Sequence, residues 1–194
     1  HKEYRRQRQM CIRDRPLHRP HSGGEAMSRV SLVLGGGRSG KSRFAEGLAR
    51  GFEGAKTYVA TAEPFDEEMR QRIEKHKQQR AGDGWVTVEA PLDPVSAVRA
   101  AAGFVLLDCV TVWLGNLMHH EKEIGAAVAG LAGALRESPA RIVLVSNEVG
   151  LSIVPENAMA RRFRDEQGLA NQRLAEAADE VYFIAAGLPL KLKG

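Results

Sequence analysis

A doubly wound, mostly parallel α/β sheet with helices on both faces is the architecture this sequence predicts, and three observations predict it. Short apolar, β-branched runs such as VSLVL (30–34) and RIVLVSNE (141–148) have the composition of buried parallel strands. Such runs alternate with stretches of helical spacing along the chain after Met27. The residues that carry chemistry follow strands, where ligands collect in sheets of this kind.

The elements follow in order. After VSLVL and a glycine-rich turn, RFAEGLARGF has helical spacing through Phe44, Leu48 and Phe52. TYVAT (57–61) reads as the second strand, and DEEMRQRIEKHKQQR (66–80) as a helix whose acidic first turn suits the helix dipole. WVTVEA (85–90) and FVLLDC (104–109) are the third and fourth strands, and one long Ala/Leu/Gly helical stretch runs on to about Arg136. RIVLVSNE is the fifth strand, the segment from Pro155 to Asp179 a helix, and EVYFIAAG (180–187) the sixth strand.

The 194 residues carry 43% hydrophobic and 27% charged side chains, ordinary for a globular chain. No run approaches 18 uninterrupted apolar residues, since even FVLLDCVTVWLGNLM contains Asp108 and Asn116, so no membrane span is expected. The net charge of +4 is local: residues 1–26 hold seven Lys/Arg against three Asp/Glu, and residues 27–194 hold 21 of each. A neutral folded part gives no electrostatic footing for nucleic acid. Residues 1–26 lack periodicity and an apolar signal core, so they are expected to be a disordered or non-native extension, with one catalytic domain over 27–194. Cys11 and Cys109 are the two cysteines, too few for a disulfide framework or a Cys-based metal site, as suits a reducing cytoplasm.

Gly35-x-x-x-x-Gly40-Lys41-Ser42 is a complete Walker A pattern between a strand and a helix, which makes the expected fold a P-loop NTPase of the RecA-like kind. Its glycines let backbone N–H groups turn toward phosphate oxygens, Lys41 reaches the β/γ-phosphates, and the Ser42 hydroxyl can ligate Mg²⁺. Asp108, closing FVLLD, is the candidate metal-orienting carboxylate; the plainer alternative is a cap on the following helix, shared with Thr111. Glu148, closing IVLVSNE, is the second candidate for metal binding or for activating an acceptor hydroxyl.

On the helix 66–80, Met69, Ile73 and His76 follow at i, i+4 and i+7, so His76 continues the apolar stripe with Arg72 and Arg80 a turn to either side. A packed core histidine is one reading. The other is a neutral imidazole facing phosphates, because neighbouring cations disfavour imidazolium and leave a lone pair free to attack phosphorus.

The segments LGGGRSGKSRFAE, YVATAEPFDEEMRQRIEKHKQQR, WVTVEAPLD, LLDCVTVWLGNL and the long block from VSNEVG to LPLKLK resemble the bifunctional adenosylcobinamide kinase / adenosylcobinamide-phosphate guanylyltransferase family of cobalamin biosynthesis. The resemblance runs from Val30 to Lys193. It implies two reactions: phosphorylation of adenosylcobinamide by ATP or GTP, then transfer of GMP from GTP, through a guanylylated histidine, to adenosylcobinamide phosphate. Carried onto matching positions, it implies His76 as nucleophile and nucleotide contacts at Gly35, Gly36, Gly37, Arg38, Ser39, Gly40, Lys41 and Ser42. Further implied contacts are Ala60, Thr61, Ala62, Lys77, Gln78, Gln79, Arg80, Glu89 and Asp108, with Ser42 and Asp108 on Mg²⁺. It also implies a homotrimer, while the cytoplasmic expectation rests on the cysteine usage. Some members carry a histidine pair where this chain has Lys75-His76; the retained histidine is at the nucleophile position. A kinase for another small hydroxylated substrate, without nucleotidyl transfer, is the alternative within enzymes, and a RecA-like nucleic-acid motor the alternative outside that chemistry. Were His76 not the nucleophile, His119 and His120 would be next.

Overall fold

The structure, a computed structural model of the chain, describes residues 29–64 and 82–194, together with Glu67, Arg70, Gln71, Glu74 and Gln78. Seven strands form one sheet: β1 (Val30–Gly35), β2 (Lys56–Ala60), β3 (Trp85–Glu89), β4 (Phe104–Asp108), β5 (Arg141–Asn147), β6 (Glu180–Ala185) and β7 (Leu188–Lys193). Their spatial order is β3-β2-β4-β5-β1-β6-β7, parallel at every pairing except β6–β7. The helices over described residues are α1 (Lys41–Gly47), α2 (Pro94–Ala100), α3 (Val110–His119), α4 (Ile124–Glu137) and α5 (Ala158–Ala177).

Alternation along each strand divides the core between two faces. Leu32, Leu34, Leu107 and Leu144 point to one, where α2 to α5 cover them with Val98, Trp113, Leu131 and Leu174. Val33, Val143 and Val145 point to the other, under Phe44, Ala45 and Leu48 of α1 and the turn after it. Aromatic side chains fill the rest of that second face: Trp85 packs edge-on against Tyr58 and Phe104, with Phe52 at 5.6 Å from Phe104 between ring centres. Each such ring buries on the order of 150–250 Å², so these aromatic side chains supply much of the apolar packing described on that face. The doubly wound α/β architecture is therefore the observed one; among the helices named, α2 to α5 lie on one face and α1 on the other.

Three elements differ from the sequence-based reading. The expected single helix to Arg136 is two helices, because Glu121 enters the left-handed region (φ 52°) and closes α3. The Lys122 N–H then bonds the Leu117 carbonyl and Glu121 N–H that of Met118, the Schellman pattern with Glu121 at the position glycine usually takes. The short helix α2 was not expected, although Asp93 caps it, accepting from the Ser96 N–H at 3.0 Å, and Pro94 occupies its first turn. The Ser96 hydroxyl also donates to the Asp93 carboxylate at 2.6 Å, and the two hydrogen bonds from Ser96, side chain first and backbone second, hold the Asp93 carboxyl below its ordinary range. The third is β7, whose Leu188, Leu190 and Leu192 alternate with Pro189, Lys191 and Lys193; as an edge strand it tolerates proline.

Candidate active site

The phosphate loop is closed at its base and open at its crest. A Cβ on Gly35 would stand 2.5 Å from Ser39 Oγ and 2.7 Å from the Ile184 carbonyl, whereas one on Gly36 or Gly37 would meet nothing within 4 Å. Arg38 (φ 58°) and Gly40 (φ 95°) turn the chain into α1, and the Ser39 N–H closes the bend on the Gly36 carbonyl at 3.3 Å. Lys41 folds back so that Nζ donates to the Gly36 carbonyl at 3.1 Å, which sets its ammonium over the loop. The β6–β7 turn supports the loop from below: Gly187 N–H donates to the Ser39 carbonyl at 2.8 Å. Ser39 Oγ is buried beneath the loop with no hydrogen-bond partner.

Sheet order decides what stands beside the loop. Gly35 is in register with Asn147 of β5 and Ile184 of β6, and the Glu148 N–H donates to the Gly35 carbonyl at 3.1 Å. Glu148 is thus an immediate neighbour of the loop, and its own carboxylate accepts from the Gly150 N–H at 2.6 Å. One strand further on, Asp108 ends β4, in register with Ala60 of β2, which is in register with Glu89 of β3. Glu89, Ala60 and Asp108 therefore stand side by side on the carboxyl edge.

Asp108 is not a helix cap. The residue at the α3 N-cap is Cys109, which makes no side-chain cap bond, and the Thr111 hydroxyl accepts from the Asn147 N–H at 2.7 Å. The Asp108 carboxylate accepts instead from Tyr58 Oη at 2.9 Å. Burial first, and the Asp108 charge second, push the Cys109 thiol up to about 12. Thr61 lies wholly inside, its hydroxyl donating to the Cys109 carbonyl at 2.8 Å and accepting from the Cys109 N–H at 2.9 Å.

The residues present fit a magnesium nucleotide at this edge. The open crest at Gly36 and Gly37 admits phosphates without steric conflict, Lys41 supplies the cation, and the Ser42 hydroxyl and Asp108 carboxylate are the hard oxygen donors that Mg²⁺ takes. Ala62 is half-buried just past β2, and Glu89 is exposed. Gln78 is helical and exposed, donating to Glu74 at 3.2 Å, and Glu67, Arg70, Gln71 and Glu74 are likewise helical and exposed. His76, Lys77, Gln79 and Arg80 lie outside the described residues. His120, named as a substitute nucleophile, meets the Glu63 carboxylate at 3.2 Å.

Two groups of site-forming residues escaped the sequence reading. Asn116 donates to the carbonyls of Thr61 (2.7 Å) and Pro91 (3.0 Å). Behind β5, Ser146, Gln167 and Asn171 form a buried polar cluster, and Asn171 donates to the Asn147 carbonyl at 3.1 Å, fixing the strand end that leads to Glu148. The available signal was an amide at a position of α5 that faces the core.

A strand, a glycine loop, a helix carrying the returning lysine, and a carboxylate two strands away define a nucleotide-binding P-loop fold. The family described as cobinamide kinase / cobinamide phosphate guanyltransferase matches residues 31–192, and this chain belongs to it. The bifunctional adenosylcobalamin biosynthesis protein CobP of Pseudomonas aeruginosa is 44% identical over 168 residues, covering 84% of this chain and 96% of its own length. The corresponding protein CobU of Escherichia coli is 41% identical over 180 residues, covering 84% of this chain and 98% of its own length. Among solved structures, the RadB recombinase is 15% identical with a TM-score of 0.46, over 79% of this chain and 73% of that one. That likeness is too loose to add to what the sheet order itself shows.

Proposed function

We infer that this chain is a transferase that phosphorylates adenosylcobinamide and then converts the product to adenosylcobinamide-GDP, using one nucleotide site for both steps. The observation that carries the reading is the row formed by the open phosphate loop, Glu148 beside it and Asp108 one strand beyond, in a member of the cobinamide kinase / cobinamide phosphate guanyltransferase family. Single-domain organisation over 27–194 belongs to the same reading, since the family match and all seven strands fall within it.

In the kinase step the acceptor hydroxyl oxygen forms a bond to the γ-phosphorus as the β–γ bridge breaks, leaving a nucleoside diphosphate. Lys41 and the backbone N–H groups of residues 36–42 hold the phosphates in line, and Glu148 is positioned to take the hydroxyl proton. Ser42 and Asp108 would hold Mg²⁺, which would neutralise phosphate charge there. In the second reaction a neutral His76 nitrogen bonds to the α-phosphorus of GTP and pyrophosphate leaves; the acceptor's phosphate oxygen then displaces the histidine. Support for a bulky acceptor comes from the segment leaving Glu148, where Leu151, Ile153 and Val154 are exposed, Ile153 at 94%. This apolar rim beside the phosphate loop suits a macrocycle whose reacting hydroxyl is on a pendant arm.

The deciding experiment is incubation with Mg²⁺ and GTP labelled at the α-phosphate. An acid-labile, base-stable adduct forms with one pyrophosphate released per label, and His76→Asn abolishes both while phosphorylation of adenosylcobinamide persists. Absence of an adduct in the wild type leaves a kinase without nucleotidyl transfer. A homotrimer, through the family resemblance, and a cytoplasmic location, through the cysteine usage, are part of the proposal; the exposed leucines of β7 offer a surface a neighbouring subunit would cover, and light scattering of the purified chain tests the assembly.

A further inference from the structure

Family resemblance makes Thr61 a nucleotide contact, yet its polar atoms are turned inward. The side chain is 0% exposed. Its N–H donates to the Asp108 carbonyl (3.4 Å), its hydroxyl brackets Cys109 by donating to the carbonyl and accepting from the N–H, and its carbonyl accepts from Asn116. Asn116 is itself 2% exposed and donates its second N–H to Pro91. Thr61 thus grips the backbone that leaves Asp108, through the Asp108 carbonyl and both backbone groups of Cys109, while Tyr58 holds the carboxylate. A buried hydroxyl whose donor and one acceptor lobe are engaged has no accessible lobe to offer a ligand.

We propose that Thr61 is a positioning residue for Asp108, with Asn116 as its support, so that the coupling between Mg²⁺ and nucleotide depends on Thr61 although its side chain touches neither. This rests on the reading that Asp108 orients the metal. Removing the hydroxyl leaves the Cys109 N–H and carbonyl without their partner, and the turn that aims the carboxylate loses its fixed direction. Nucleotide contacts made by the phosphate loop alone are untouched.

The test is equilibrium binding of a fluorescent GDP to the full chain, with and without Mg²⁺, for wild type, Asp108→Asn, Thr61→Val, Thr61→Ser and Asn116→Leu. Metal tightens GDP binding in the wild type and much less in Asp108→Asn. Thr61→Val keeps the metal-free affinity within about twofold but loses at least about fivefold of the metal-dependent gain, the low end of ordinary coupling between two ligands. Thr61→Ser, which keeps the hydroxyl, restores the gain, and Asn116→Leu shows the same pattern as Thr61→Val in weaker form. Weakened metal-free binding in Thr61→Val with the metal gain intact would mean a direct nucleotide contact and would overturn the proposal. So would a lowered Tm with both affinities unchanged. If Thr61→Val does not fold, Asn116→Leu decides by the same criteria. A full metal gain in Asp108→Asn removes the metal role of Asp108 and this inference with it; a defective Asp108→Asn beside a normal Thr61→Val removes this inference alone.

Discussion

The phosphate loop and the Asp108 turn stand at the same edge of the sheet but are built in opposite ways. The loop's internal bonds are short-range, with Ser39 reaching back to Gly36 and Lys41 reaching back five residues to the same carbonyl. Among the described residues, what reaches it from far along the chain is backbone only, the N–H groups of Glu148 and Gly187. The Asp108 turn is held from far along the chain: Tyr58 is 50 residues away, Thr61 is 48 from Cys109, and Asn116 is 55 from Thr61. A loop made of backbone conformation and one lysine can be carried by a local motif. A carboxylate that must be aimed needs side chains from several elements, each ordered by the packing around it.

The largest effect expected from breaking this contrast is on the loop side. Lys41→Ala removes the cation at the crest but only one internal bond, so phosphoryl transfer and guanylylation should fall by about a hundredfold or more while Tm stays near that of the wild type. Near-normal turnover in that variant would break the assignment of the loop.

Gly35→Ala tests the loop's base. A Cβ there meets the Ile184 carbonyl at 2.7 Å, and backbone yields poorly, so stability should drop by about 1–3 kcal/mol in denaturant titrations, with nucleotide affinity reduced as well. An unchanged midpoint would mean that the loop can shift freely.

On the turn side, Cys109 gives a titration. Its thiol is raised from 9.0 in the open chain to about 12 when folded, so the folded state favours the neutral form. That stabilisation is complete below pH 9.0 and is lost as pH rises toward about 12. In the native protein at pH 8, peptide mapping after iodoacetamide should find Cys109 unmodified, and modified once the chain is unfolded. Alkylation of native Cys109 would show the turn opening.

The smallest effect concerns the turn that props the loop. Ala186 holds φ 51° ahead of Gly187, a two-residue hairpin turn in which both residues have positive φ. Ala186→Gly should raise stability by about 0.5–1 kcal/mol without changing nucleotide affinity. A lower Tm would mean the alanine methyl packs usefully.

Six of the seven strands, helices α1 and α5, the phosphate loop, Asp108 and Glu148 as strand-end carboxylates, and membership of the family can be read from the sequence alone. These are legible because periodicity, glycine spacing and strand ends are written in consecutive residues. The sequence did not reveal that α3 stops at Glu121, since a glutamate is not the residue expected in a left-handed cap, nor that LPLKLK pairs back on β6. Only the tertiary structure decided that β5 lies between the loop strand and the Asp108 strand, that Glu148 therefore touches the loop, and that Thr61 turns inward to Cys109. Pairings across some 50 residues are chosen by which faces bury together and which buried donors find acceptors, and no local window of sequence contains both partners.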